Sequence, residues 1–269
     1  MNETSDTRDL AGRRRDGHVL VITMDRAEKR NAVDRAMADA LDDALNELDD
    51  DQDLWAGVLT GSADVFSAGS DLTAGGDYAT ARGGEYGIIR RRRRKPLVAA
   101  VEGAALGGGL EIVLACDLVV AASTARFGLP EVRIGVVPTC AGLFRAPRAL
   151  PLNLAKQLIL TGRPIEAGRA YEVGFVNVLT APGEALGPVY GVTLLHIETL
   201  ISEINPDLDA RILAGFLLNA IAPPVLTRMR DALRIDTQSL QDAARALLRG
   251  VVSQTNAGMA CGRRGLGPF

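Results

Sequence analysis

A chain of 269 residues, 47% of them hydrophobic, is long enough to bury one full core plus a small appendage, and no apolar stretch approaches the roughly 18–20 residues of a bilayer span. The net charge of 30 − 33 = −3 gives no global reason to expect a nucleic-acid partner. Three widely spaced cysteines (Cys116, Cys140, Cys261) and two histidines (His18, His196) offer neither a disulfide framework nor a metal-ligand cluster, which leaves acid–base chemistry to carboxylates.

The first 16 residues are polar and mixed in charge, unlike a secretory signal, and a cytoplasmic location is expected. Residues 18–24 read as a strand buried on both faces, with Val19, Val21 and Thr23 opposite Leu20, Ile22 and Met24. Asp34 is placed to cap a helix in which Met37, Leu41, Ala44, Leu45 and Leu48 share one face, while Asp39, Asp42, Asp43 and Glu47 face solvent. The acidic run 49–53 ends it, and residues 55–60 return as a second strand, making a β–α–β opening. Residues 73–87 hold five glycines and little apolar periodicity, so a mobile surface loop suited to a substrate lid is expected there.

A third strand over 97–101, a turn over 102–109, a short helix over 110–116 and a fourth strand over 118–122 follow. Helices are predicted over 152–160, closed by Gly162, and over 166–173, ending at Gly174, with a strand over 175–179. Beyond Pro182 four further helices are predicted, at 192–204, 209–222, 225–235 and 239–248. The alternation implies an α/β core over residues 1–186 and a helical C-terminal region over 187–269.

Three features carry chemistry. Gly107-Gly108-Gly109 precedes an apolar helix, where bare backbone can approach a ligand and helix N-terminal N–H groups are unpaired; alone, such a triplet is more often just a tight turn against a neighbouring helix. Glu111 and Glu131 are lone acids in apolar settings, and two such acids can share a water, although each also reads as an exposed carboxylate near a turn or helix start. The small residues of Phe66-Ser67-Ala68-Gly69-Ser70-Asp71-Leu72 would let backbone N–H groups face a cleft; alone, this is an ordinary loop.

These segments, together with Asn31-Ala32-Val33, Lys95-Pro96-Leu97-Val98-Ala99-Ala100-Val101-Glu102-Gly103, Ala115-Cys116-Asp117-Leu118, Phe127-Gly128-Leu129-Pro130-Glu131-Val132 and Leu160-Thr161-Gly162, resemble the crotonase (enoyl-CoA hydratase/isomerase) family in order and spacing. The resemblance implies a spiral of ββα repeats, C-terminal helices used in trimer contacts, and often a dimer of trimers. It implies an acyl-CoA substrate that brings its own coenzyme A, with no separate cofactor. The backbone N–H groups of Ser70 and Gly108 would form an oxyanion hole, Ala68, Asp71 and Leu72 would line the substrate, and Glu111 and Glu131 would hold and activate water. Hydration of a trans-2-enoyl-CoA to the 3-hydroxyacyl-CoA is the implied reaction; isomerisation, or dehydration of a hydroxyacyl-CoA, would use the same hole.

The chain departs from the family at Thr73, where many relatives carry a lysine near the CoA. It departs again at Val137-Pro138-Thr139-Cys140-Ala141-Gly142, which replaces a glycine-rich stretch and should reshape the acyl pocket. After Leu186 the likeness fades. A rival from another class is RNA binding through the six consecutive cations at 90–95, although no aromatic residue interleaves them as single-strand stacking would want. A catalytically weak acyl-CoA binder is a third reading, against which the glutamate pair argues.

Overall fold

The computed structural model describes residues 10–75 and 78–187. Its main sheet runs in the order β1 (Ala11–Asp16), β2 (Val19–Met24), β3 (Ala56–Thr60), β7 (Leu97–Val101), β9 (Leu118–Ala122) and β12 (Val178–Thr180). Only the β1–β2 pair is antiparallel. Every residue of β3 and β7 is buried, as expected of parallel strands covered on both faces. One cover is α1 (Arg35–Asp50), which starts as anticipated: Asp34 accepts a hydrogen bond from the Met37 N–H at 2.9 Å, and Met37, Leu41, Ala44, Leu45 and Leu48 all lie in the core.

A second sheet, in the order β11 (Ile165–Glu166), β10 (Arg126–Gly128), β8 (Ala104–Leu106) and β4 (Val65–Ser67), stands beside the first. The chain passes from one sheet to the other three times, from β3 to β4, from β7 to β8 and from β9 to β10. The middle passage leads straight into α2 (Gly108–Val113). These are the ββα turns of the expected spiral. Their geometry sets the parallel ends of β4, β8 and β10 side by side, so the loops that leave them converge.

Several local expectations change. The turn 102–109 contains β8, too short for alternation to reveal, and the following helix spans Gly108–Val113 rather than 110–116. β1 was hidden by Arg13-Arg14-Arg15, an edge strand whose cations pair with Glu47 and Asp51 of α1 and the residue after it, and with Asp16. The strand foreseen at 175–179 begins at Val178, because Phe175 and Val176 turn into the core, where Phe175 meets Phe127 edge to face at 5.3 Å. α3 (Gly142–Ala149), with Pro147 inside it, was not foreseen; α4 (Leu152–Thr161), closed by Gly162 in the left-handed region, and α5 (Ala167–Glu172) were.

Residues 73–87, expected as a mobile loop, are built differently among the described residues. A hairpin of β5 (Ala79–Thr80) and β6 (Gly84–Glu85) is tied to α1 by Thr80 Oγ1, which donates to Asp42 at 2.8 Å, and the Tyr78 hydroxyl donates to the Asp71 carbonyl at 2.8 Å. Tyr86, Ile88 and Ile89 then enter the core. The glycines conceal two tyrosines that anchor the segment.

The basic run is also not a free phosphate-binding strip. The Arg91 side chain is 1% exposed and pairs with Asp49 at 3.1 Å and with Asp42, Arg93 pairs with Asp117 at 2.7 Å, Arg90 pairs with Glu85, and Lys95 donates to the Asp51 carbonyl. Arg91 and Lys95 brace α1 while Arg92 and Arg94 stay exposed, so the run is partly internal, which weakens the case for RNA binding. The helices predicted between 192 and 248 lie outside the described residues, among which no helix is long and apolar enough to cross a membrane.

Removing one partner of a buried ion pair strands the other charge, at a cost of about 3–5 kcal/mol. Arg91→Ala is expected to lose stability on that scale in a denaturant titration, whereas Arg92→Ala, at an exposed position, stays within about 0.5 kcal/mol of the parent. Equal midpoints for the two variants would contradict the bracing role.

Candidate active site

The loop after β4 is fastened at almost every backbone group. Ala68 donates to the Arg30 carbonyl at 3.0 Å, Gly69 to Ser67 Oγ at 3.1 Å and Asp71 to the Val33 carbonyl at 2.9 Å, while the Gly69 carbonyl accepts from Val33 at 2.8 Å. Buried Asn31 supports it from below, its Nδ2 donating to the Phe66 carbonyl at 3.1 Å and its carbonyl accepting from Ser67 Oγ at 2.8 Å. The Ser70 N–H is left without an acceptor among the described residues. On the facing segment, Gly107 donates to the Gly128 carbonyl at 2.9 Å, and the next N–H, that of Gly108 at the start of α2, is likewise left over.

Gly69 makes this juxtaposition possible. It sits at φ 90°, and a Cβ there would lie 2.6 Å from the Gly108 nitrogen, so only glycine lets the two donor-bearing segments touch.

Glu111 projects from the first turn of α2 and is only 2% exposed, with Oε1 accepting from the Gly142 N–H at 2.8 Å. Burial pushes its carboxyl up to about 7; the backbone amides of Gly142 and Cys140 pull it partly back, and the nearby charge of Glu131 pushes it higher. Glu131 opens the short 3-10 turn Pro130–Ile134, and burial raises its carboxyl too. Its Oε1 lies against Gly107, where a Cβ would stand 3.3 Å away, and its buried Oε2 has no hydrogen-bond partner among the described residues. A buried oxygen with a free lone pair at a cleft is a place for a substrate or water hydrogen.

Ser70, Gly108, Glu111 and Glu131 all line one cleft of about 550 Å³, together with Ala68 and Leu72, beneath a rim formed by Ile134, Val136, Val137 and Pro138. A mostly apolar cleft with a few convergent polar groups suits an acyl chain with one reactive end. Asp71, expected to face the substrate, does not line it. Its carboxylate is held to about 2 by hydrogen bonds from the hydroxyl and N–H of Thr73 and by Arg26, whose guanidinium lies 2.9 Å away, so it clamps the loop from behind. Thr73, at the position where a lysine is common, spends its hydroxyl on that clamp.

Sequence reasoning missed Tyr86, which also lines the cleft. Its one signal was an aromatic residue set between the glycines of Gly84-Glu85-Tyr86-Gly87. In the altered stretch 137–142, Ala141 takes the left-handed conformation at φ 75°, and the next N–H, that of Gly142, donates to Glu111.

The enoyl-CoA hydratase/isomerase family matches residues 14–187. The chain belongs to that family. It is 37% identical over 180 residues to the short-chain-enoyl-CoA hydratase of Clostridium acetobutylicum, covering 64% of this chain and 69% of that protein. It is 35% identical over 236 residues to the enoyl-CoA hydratase EchA19 of Mycobacterium tuberculosis, covering 83% and 84%. Among solved structures, an enoyl-CoA hydratase from Mycobacterium tuberculosis superposes with a TM-score of 0.66 at 36% identity over 84% of this chain and 96% of that one. A carnitinyl-CoA hydratase from Mycobacterium avium gives a TM-score of 0.66 at 30% identity over 97% and 98%. The crotonase architecture explains why the glutamates and the two free N–H groups come from successive ββα turns of this family member.

The raised Glu111 carboxyl has a consequence for stability. Between the ordinary value near 4.5 and about 7 the unfolded chain gives up this proton while the folded chain keeps it, so stability falls as pH rises through that window and levels off above it. The loss is on the order of 3 kcal/mol for a group displaced that far. Glu111→Gln, which keeps an acceptor for Gly142, should therefore show a much shallower decline between pH 5 and pH 8 in denaturant titrations. A decline as steep as that of the parent would contradict the assignment.

Proposed function

We propose that this protein is an enoyl-CoA hydratase that adds water syn across the double bond of a trans-2-enoyl-CoA, giving the 3-hydroxyacyl-CoA. The reading rests on one observation above all: two backbone N–H groups unpaired among the described residues, the buried Glu111 carboxyl and the half-buried Glu131 carboxyl line the same cleft. The thioester oxygen would accept from Ser70 and Gly108, so that negative charge accumulating there as C3 is attacked meets fixed donors rather than water. One carboxyl of the pair is ionised and takes a proton from the attacking water; the other is protonated and delivers its proton to C2. Because both acids occupy one cleft, O–H and H arrive on the same face of the alkene.

Burial raises both carboxyls, and the charge of Glu131 further disfavours ionisation of Glu111, so the pair is biased toward keeping a proton, as this reaction needs. Dehydration of a 3-hydroxyacyl-CoA is the same sequence reversed. A homotrimer, or a dimer of trimers, belongs to the same proposal on the strength of the family resemblance and is checked by light scattering.

Glu111→Gln and Glu131→Gln are each expected to lower turnover of a 2-enoyl-CoA by about 10²-fold or more with little change in substrate binding, and the double variant should be scarcely worse than either single one. Loss of the conjugated thioester absorbance over a panel of chain lengths measures all three. Near-parental rates in both single variants would overturn the assignment.

A further inference from the structure

Tyr86 has no part in the hydration scheme, yet it stands against both proposed oxyanion donors. Its hydroxyl lies 2.6 Å from Ser70 Oγ. Its ring covers Gly108 so closely that a Cβ on that glycine would lie 2.5 Å from the phenol oxygen and 2.8 Å from Cζ. No other tyrosine among the described residues lines the cleft. The residue is held in an unusual backbone conformation, φ 55°, rare for a bulky side chain and often found where function dictates the geometry. Gly84 and Gly87 on either side also adopt positive φ, so the whole turn is bent to deliver this one ring.

The hydroxyl pair has hydrogen to spare. Ser70 and Tyr86 each carry one O–H; their mutual bond uses one of the two, and the other is turned to the Cys140 thiol, a weak acceptor that a thioester oxygen gaining charge displaces. We propose that the Ser70–Tyr86 pair supplies the oxyanion hole with a third donor, Ser70 O–H donating to the phenol oxygen and Tyr86 O–H donating to the thioester oxygen as it gains charge. Chained hydroxyls polarise one another, so the terminal donor is stronger than an isolated phenol. Burial raises the phenol's own titration well above its ordinary range, which keeps the proton on Tyr86: it is shared with the oxyanion, not transferred to it. The inference rests on the acyl-CoA reading above, and extends it by naming Tyr86 as a catalytic residue.

The test is Tyr86→Phe, which keeps the ring over Gly108 and removes only the donor. Turnover of a 2-enoyl-CoA should fall about 10²-fold, the scale of one lost oxyanion donor, while KM and the affinity for saturated butyryl-CoA change by less than about twofold. A second readout needs no turnover. Acetoacetyl-CoA bound in the site forms an enolate that absorbs in the near ultraviolet, and its apparent pKa should rise in Tyr86→Phe. A parental kcat, or a lowered kcat with the enolate titration unchanged, overturns the proposal; the latter would show a packing role.

Should the variant fold poorly, parental protein grown with 3-fluorotyrosine, a more acidic phenol, should shift the enolate titration downward, and no shift overturns the proposal. If the parent hydrates no 2-enoyl-CoA but its enolate titration responds to Tyr86→Phe, the hydratase reading fails and the third donor stands. A parent that binds no acyl-CoA overturns both.

Discussion

The close approach of Gly69 to the Gly108 nitrogen is the constraint on which the rest of the site depends. Two backbone N–H groups can serve one oxygen only if their segments meet without side chains between them, and a Cβ at residue 69 would intrude to 2.6 Å. Each segment leaves a different ββα turn, so the contact is long-range and has to be imposed by the sheets. The parallel register of β4 with β8, and of β8 with β10, delivers them to the same end of the second sheet. Asn31 and the Arg26–Asp71 pair then fix the first segment, and the Gly107–Gly128 bond fixes the second. Among the described residues the two donors stay idle because the backbone groups beside them are already bonded.

The same cleft carries an energetic cost that the fold compensates only in part. Glu111 is nearly sealed from solvent, and one backbone N–H at 2.8 Å offsets a fraction of the desolvation. Glu131 keeps a buried oxygen without a hydrogen-bond partner among the described residues. Packed apolar residues at these positions would serve stability better, so the pair marks a place where stability is spent on chemistry. The compensation sits elsewhere, in the continuous core formed by β3, β7 and the buried face of α1.

Much of this was legible in the sequence, for identifiable reasons. Long elements with clear periodicity, such as α1 with its Asp34 cap and the buried runs of β2, β3 and β7, need only local information. The two glutamates stood out as charges where apolar residues belonged, and Gly107-Gly108-Gly109 as bare backbone before a helix. The three-residue strands β4, β8 and β10 could not be read this way, since they are too short for alternation and exist because neighbours already in place pair with them. Asp71 was misjudged because sequence proximity to Ser70 does not say which way a side chain turns; at an alternating position it points back to Arg26. Tyr86 was obscured by its glycines, which signal a loop unless one knows that the loop is a turn built around an aromatic ring.

The basic run and the acidic face of α1, which look like solvated surface in sequence, meet behind that ring. Arg91 pairs with Asp49 and Asp42 and also donates through Nε to the Gly87 carbonyl at 3.3 Å, one residue from Tyr86. Asp42 in turn accepts from Thr80 at the start of the hairpin, and Arg145 of α3 donates to the Ile89 carbonyl at 2.7 Å just after it. Gly87 packs so tightly on α1 that a Cβ would come within 2.4 Å of the Ala38 carbonyl. The unfavourable φ of Tyr86 is therefore held by contacts on both sides of the turn, and the net attraction between an arginine-rich segment and an aspartate-rich helix is converted into the position of one phenol. Charge patterning that first suggested a nucleic-acid partner acts within the molecule, as the support of its own active-site wall.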